Sequence, residues 1–180
     1  TMYGVTKACS ERLGEYYQRR YDVDFRAVRF LSILGPGRVA GSGWSAYTSL
    51  VIEECAKGNP YVLKVNRDLR LRFIYVKDAA LSLIRLGDAA ASSLTTRCYN
   101  LDGFSASTED IVDAVRRHVP GARISYEFDA DYQRVMDTQY GNIQRRMDDS
   151  LARGDWGWRA SYTLDEAVRD FVVSVRQGLA

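Results

Sequence analysis

Apolar side chains along the chain switch between helical and strand spacing. Between Val5 and Tyr17 they recur every three or four residues with charges between them, which predicts an amphipathic helix over residues 3–20. Residues 24–34 are then largely apolar, which is typical of a strand buried in a parallel sheet. The glycines and proline of residues 35–43 end that run, so we expect a loop there.

The rest of the chain repeats this alternation. The pattern predicts further helices over 44–57, 78–87, 108–118 and 164–177, and further strands over 61–65, 71–76, 97–101 and 123–128. Ser107 and Thr163 precede two of these helices and are expected to cap them. Residues 129–147 are polar, and a loop is expected there. Since strands and helices alternate, the sequence predicts an α/β fold with largely parallel pairing.

Composition narrows the class of protein. The 180 residues are 46% hydrophobic and 27% charged, which excludes disorder, collagen and a disulfide scaffold and fits at most one full domain. The net charge of +2 gives no reason to expect nucleic acid or an anionic membrane as a partner. The three cysteines include no CxxC pair, so we expect no metal site and a reducing, cytoplasmic location. Apolar runs are shorter than the roughly 20 residues that span a bilayer.

The first helix carries the sharpest chemical signal. Tyr3 and Lys7 are four residues apart, so their side chains share one helix face. An ammonium beside a phenol stabilises the phenolate, and such a phenol can exchange a proton with a carbonyl or an alcohol. A tyrosine and a lysine at this spacing also occur by chance on helix surfaces, so the pair needs its context.

That context is a series of landmarks in a fixed order. They are the Tyr/Lys helix with its strand to Gly35-Pro36, the run Leu71-Arg72-Phe73-Ile74-Tyr75-Val76-Lys77-Asp78, the strand Tyr99-Asn100-Leu101, and the closing Trp156-Gly157-Trp158. Together they resemble the extended short-chain dehydrogenases/reductases, the NAD-dependent epimerase/dehydratase family. The resemblance implies the C-terminal portion of a Rossmann-like parallel sheet plus a small α/β substrate-binding domain.

The resemblance also implies roles. Tyr3 would be the catalytic acid/base, and Lys7 would support it and bind the ribose of NAD or NADP. Leu31 would lie against the cofactor during hydride transfer between substrate and nicotinamide. The residues implied on the side of a small-molecule substrate are Ser32, Arg38 and Arg72. A homodimer of the full-length protein, formed through paired helices, is implied as well.

One part of the family's pattern is missing. No glycine-rich G-x-x-G-x-x-G or G-x-G-x-x-G segment occurs in the sequence, and neither does the family's catalytic Ser/Thr upstream of the tyrosine. We therefore expect residues 1–180 to be the C-terminal part of a longer enzyme, inactive without its glycine-rich half. The residue that distinguishes NAD from NADP would also lie in that half.

The function stays open between three alternatives. The first is a sugar or another small hydroxylated molecule, although nucleotide-sugar epimerases usually carry Asn at Ser32 and Arg-Asp at Leu71-Arg72. The second is an activity like that of short-chain type L-threonine dehydrogenases, whose segments are similar to residues 1–7 and 155–158, although Phe30-Leu31-Ser32 departs from their Tyr-Pro-Gly. The third is a non-catalytic binding module that lacks its cofactor half.

Overall fold

The computed structural model describes residues 1–41, 43–140 and 146–178. The helices are α1 (Met2–Tyr21), α2 (Tyr47–Ala56), α3 (Val76–Asp88), α4 (Thr108–His118), α5 (Ala130–Tyr140), α6 (Ser150–Trp156) and α7 (Leu164–Arg176). The strands are β1 (Ala27–Arg29), β2 (Ser32–Leu34), β3 (Tyr61–Leu63), β4 (Arg70–Tyr75), β5 (Cys98–Asn100), β6 (Phe104–Ser107) and β7 (Ile124–Tyr126). Short 3-10 turns occupy Trp44–Ala46 and Ala91–Ser93. The predicted α/β alternation is confirmed.

Strand pairing is largely parallel, as the sequence predicts. β1 pairs with β5, β2 with β4, and β3 with β7, all in parallel. β6 pairs antiparallel with β4 because it follows β5 after the tight turn at Asp102 and Gly103. The β1–β5 and β3–β7 pairs are therefore wholly parallel, whereas the three-stranded β2–β4–β6 sheet is mixed.

The single strand predicted over 24–34 is two strands. The break falls at Phe30 and Leu31, between β1 and β2. Both side chains contact the same hydrophobic cluster although they are consecutive, so the alternation of a regular strand is interrupted there. This break ends the pairing with β5 and transfers the chain to β4.

Several elements lie where the sequence predicts none. The loop predicted over 129–147 is wrong for residues 130–140, which form α5, while residues 141–145 lie outside the described residues. The Asp129 carboxylate accepts the backbone N–H groups of Asp131 and Tyr132 and so starts this helix, and Met136 anchors it in the core. The short strand β6 and the short helix α6 were also not predicted.

Two hydrophobic cores hold the layers together. The larger core lies between the β2–β4–β6 sheet and helices α2, α4 and α7. The second core packs around Leu31, Ile74, Tyr99, Leu101 and Trp158. No helix of the described ranges combines the length and hydropathy needed to cross a bilayer.

The turn between β5 and β6 admits no side chain at Gly103. A Cβ atom there would lie 2.1 Å from the carbonyl oxygen of Phe73 in β4. We expect Gly103→Ala to lower the free energy of unfolding by about 1–3 kcal/mol, because strand backbones have to separate. The matched control is Gly87→Ala in α3, where no atom lies within 4 Å and helix propensity favours alanine by roughly 0.5–1 kcal/mol. Urea unfolding of the two variants should therefore give shifts of opposite sign.

Candidate active site

Helix α1 is fastened to β1 through its second half. The Glu11 carboxylate accepts from Arg29 Nε at 2.8 Å and from Arg29 Nη2 at 2.6 Å. Gly14 lies directly against the ring of Phe25. Because the later helix residue meets the earlier strand residue, α1 and β1 run in opposite directions.

Tyr3 and Lys7 occupy the exposed N-terminal end of α1. Thr1 caps the helix by accepting the Gly4 N–H at 3.2 Å. The Lys7 Nζ atom lies 5.3 Å from the centroid of the Tyr3 ring, so the ammonium and the phenol share one face as predicted. The Tyr3 side chain belongs to a residue that is 72% exposed. The pair is therefore open to a ligand from outside the chain.

The antiparallel path carries Tyr3 past the carboxyl end of β1. Tyr3 lies eight residues before Glu11, about 12 Å along the helix axis. Ser32 lies three residues beyond Arg29, about 10 Å in the same direction along the strand path. By these path lengths Tyr3 lies beyond the last residue of β1, at about the level of Ser32, on the side of the carboxyl ends of the strands, where parallel α/β sheets bind ligands.

Leu31 and Ser32, the two candidate residues just after β1, have different surroundings in the structure. Leu31 is only 7% exposed and belongs to the second core. Ser32 is half-buried and pairs in register with Phe73, so it faces the side of the larger core. The two residues are adjacent in sequence but turn to opposite faces of the β2–β4 pair.

Arg72 is held by an acidic residue that the sequence analysis missed. Its Nε lies 3.0 Å from Asp102 Oδ1, and its Nη2 lies 2.8 and 2.7 Å from the two carboxylate oxygens. Arg146 Nε lies 3.5 Å from the same carboxylate. Asp102 is the second residue after the carboxyl end of β5 and precedes a glycine, and this position is the signal that could have identified it.

Arg38 belongs to a different part of the chain from the Arg72–Asp102 ion pair. It is half-buried in the loop that leads from β2 to α2, with its guanidinium near Gly43. The start of this loop is fixed on α2, because the Gly37 N–H donates to Glu53 Oε2 at 3.0 Å. The loop therefore leaves the end of β2 opposite to Ser32 and leads onto α2, a different helix from the one that carries Tyr3.

Two buried tyrosines, Tyr75 and Tyr99, are unsuited to proton transfer. Tyr99 donates to Asp155 at 2.6 Å, and burial followed by this carboxylate raises the pKa of Tyr99 to about 12. Tyr75 donates to Asp170 at 2.6 Å, and the same two causes raise its pKa as well. These phenols stay protonated near neutral pH and serve as structural donors. Tyr3 has a cation beside it and an open face instead.

The comparisons with known proteins agree with this geometry. Residues 1–102 match the model of the NAD-dependent epimerase/dehydratase family. The mitochondrial L-threonine 3-dehydrogenase of Bos taurus is 34% identical over 93% of this chain and 44% of its own length. Among solved structures, the GalE-like L-threonine dehydrogenase of Cupriavidus necator superposes with a TM-score of 0.83 at 34% identity, over 97% of this chain and 61% of that one.

A second solved relative gives the same result. The L-threonine dehydrogenase of Phytophthora infestans has a TM-score of 0.85 at 32% identity, over 99% of this chain and 56% of its own. The chain thus spans about half the length of the relatives that it matches. The family model covers more than half of the chain, and the landmarks occur in the order that the resemblance requires. The chain therefore belongs to the NAD-dependent epimerase/dehydratase family of extended short-chain dehydrogenases/reductases.

Proposed function

We propose that the chain is the catalytic and substrate-binding part of an NAD-dependent dehydrogenase that oxidises a small secondary alcohol, with L-threonine as the first substrate to test. The observation that carries the proposal is the exposed Tyr3–Lys7 pair at the N-terminal end of α1. The relatives named as L-threonine dehydrogenases favour a small amino-acid alcohol over a nucleotide sugar. We also propose that residues 1–180 are the C-terminal part of a longer enzyme, with the residue roles that follow.

Tyr3 is the proton acceptor of the reaction. Its phenolate takes the proton of the substrate hydroxyl while the C–H bond of the same carbon breaks. The ammonium of Lys7 lies 5.3 Å from the centroid of this ring and has donors left for a hydroxyl of the ribose. NAD, when bound, accepts the hydride that leaves the substrate carbon.

The residues present fit one end of NAD. The phenol and ammonium provide a donor pair on an open helix face, as a nicotinamide ribose requires. The sequence contains no glycine-rich turn for the pyrophosphate. Within the described ranges β1 has a strand neighbour on the β5 side alone, and its other edge is where a cofactor-binding half would continue the sheet.

The assembly and the location of the intact enzyme are further parts of the proposal. Tyr16, Tyr17 and Tyr21 form a cluster of exposed rings on α1, with centroids 5.3 to 6.1 Å apart. Such a helix surface suits a homodimer of the full-length protein. A cytoplasmic location stays a prediction, since the Bos taurus relative is named as mitochondrial.

The test is an assay of the intact polypeptide that joins this chain to a glycine-rich half. We expect NADH to accumulate with L-threonine and NAD, and we expect no interconversion of UDP-glucose and UDP-galactose. The 180-residue chain by itself is the control and should produce no NADH. The proposed function would be wrong, and the sugar alternative right, if the enzyme interconverts UDP-glucose and UDP-galactose and forms no NADH from any small hydroxy acid or amino-acid alcohol.

A further inference from the structure

We propose that the ion pair of Arg72 and Asp102, together with Arg146, selects the substrate by its charge. The cluster accepts a group with one negative charge and rejects a diphosphate. This inference rests on the proposed function, because it concerns the substrate side of the same site. It adds a specificity-determining element that neither the family match nor the relatives' names assign.

The cluster lies at the same sheet edge as the proposed reaction. The Leu101 N–H donates to the Arg29 carbonyl at 3.2 Å, which continues the β1–β5 register to the strand ends. Asp102 is therefore the second residue beyond the carboxyl end of β5. Arg72 precedes Phe73, the β4 residue that pairs with Ser32, and its side chain turns to the other face of the sheet, on which it meets Asp102. The three charged groups thus meet where the chain leaves the parallel strands.

The pair is buried more than a stabilising surface bridge would be. The Arg72 and Asp102 side chains are 14% and 8% exposed, whereas Arg146 is 71% exposed. Removing both charges of such a pair from water costs about as much as their attraction returns, so stability alone does not account for it. No described residue accepts from the Nη1 group of Arg72, and this group remains available to a ligand.

The sum of the charges gives the selectivity. Two guanidiniums and one carboxylate leave one net positive charge, which one carboxylate of a substrate neutralises. A diphosphate would bring further negative charge close to Asp102, and juxtaposed like charges disfavour its binding. Asp102 therefore both fixes the planar guanidinium of Arg72 and opposes polyanions.

The position of Asp102 is fixed by its neighbours in the chain. Leu101 is fully buried on one side, and Gly103 lies against the Phe73 carbonyl on the other. The backbone at Asp102 is therefore fixed, and the three hydrogen bonds from Arg72 orient its carboxylate. Selectivity of this kind requires a fixed repulsive group, since a mobile carboxylate would simply turn into solvent.

The experiment measures UDP binding and substrate kinetics in the intact enzyme. In Asp102→Asn we expect the dissociation constant of UDP, measured by calorimetry, to fall at least about tenfold, because the repulsive charge is gone. In Arg72→Met we expect the KM for a monocarboxylate substrate to rise about tenfold with kcat within about twofold. Arg70→Met is the matched control, because Arg70 is its exposed neighbour and pairs with Asp110 at 3.0 Å; this variant should leave both constants unchanged.

The outcomes separate this inference from the proposed function. An unchanged affinity for UDP in a folded Asp102→Asn protein would overturn the charge selection, even if L-threonine is oxidised. If Asp102→Asn does not fold, Arg146→Met decides, because Arg146 is exposed; an unaltered KM for the monocarboxylate in that variant overturns the inference. Strong UDP binding by the unsubstituted enzyme also overturns it, whatever reaction the enzyme catalyses.

Discussion

Replacing Tyr3 by phenylalanine is expected to lower the turnover number of the intact enzyme at least ~10²-fold, the usual smallest effect of losing a general acid/base. The ring remains, so the 5.3 Å packing of Lys7 over it is retained. Only the hydroxyl that receives the substrate proton is lost. Because Tyr3 is exposed, we expect the melting temperature of the variant to stay unchanged. Steady-state NADH formation under saturating substrate measures the effect.

Tyr17→Phe is the matched control for this substitution. Tyr17 is an exposed phenol on the same helix, and it lies far from the Tyr3 end. Its loss should leave turnover within about twofold, as expected for a surface change away from the reacting atoms. Near-normal turnover in Tyr3→Phe would remove Tyr3 from the reaction and favour a binding module in place of the enzyme.

The parts of the fold that the sequence predicts best are those with local physical causes. The helix over 3–20 follows from its spacing, and Ser107 and Thr163 both form capping boxes as N-caps. Their signals lie within four residues of chain, so no knowledge of distant neighbours is needed. The same holds for the Tyr3–Lys7 pair, whose geometry is fixed by one helical turn.

The parts that the sequence does not predict depend on distant contacts. The break at Phe30 and Leu31 arises because β1 and β2 pair with different strands, which no local pattern encodes. Helix α5 has a polar sequence and is anchored by Met136 in a core built from other elements. A weak local preference is decided in such cases by tertiary packing.

In the candidate site, too, local features were predictable from the sequence and contacts between distant residues were not. The resemblance places Arg72 on the substrate side, but its partner lies 30 residues away and comes into contact only through the turn between β5 and β6. The ion pair changes how that prediction is interpreted. Arg72 is a positioned donor beside a fixed negative charge, and a substrate therefore meets both signs of charge.

Removing the indole of Trp158 is expected to have the largest effect on stability. Trp158 is fully buried in the second core and lies 5.7 Å, centroid to centroid, from Trp156. We expect Trp158→Ala to lower the free energy of unfolding by about 3–5 kcal/mol, through lost apolar contact and the cavity left behind. Urea unfolding followed by far-UV circular dichroism measures the difference.

Leu151→Ala in α6 is the control, because Leu151 is 53% exposed and its loss should change the free energy of unfolding by about 0.5 kcal/mol at most. The second core also supports Leu31 and Leu101, the residues just before Ser32 and Asp102. In the intact enzyme, Trp158→Ala should therefore raise the KM for substrate at temperatures where the protein is still folded. A loss below about 1 kcal/mol would mean that the second core contributes little, and that other contacts hold the substrate edge in place.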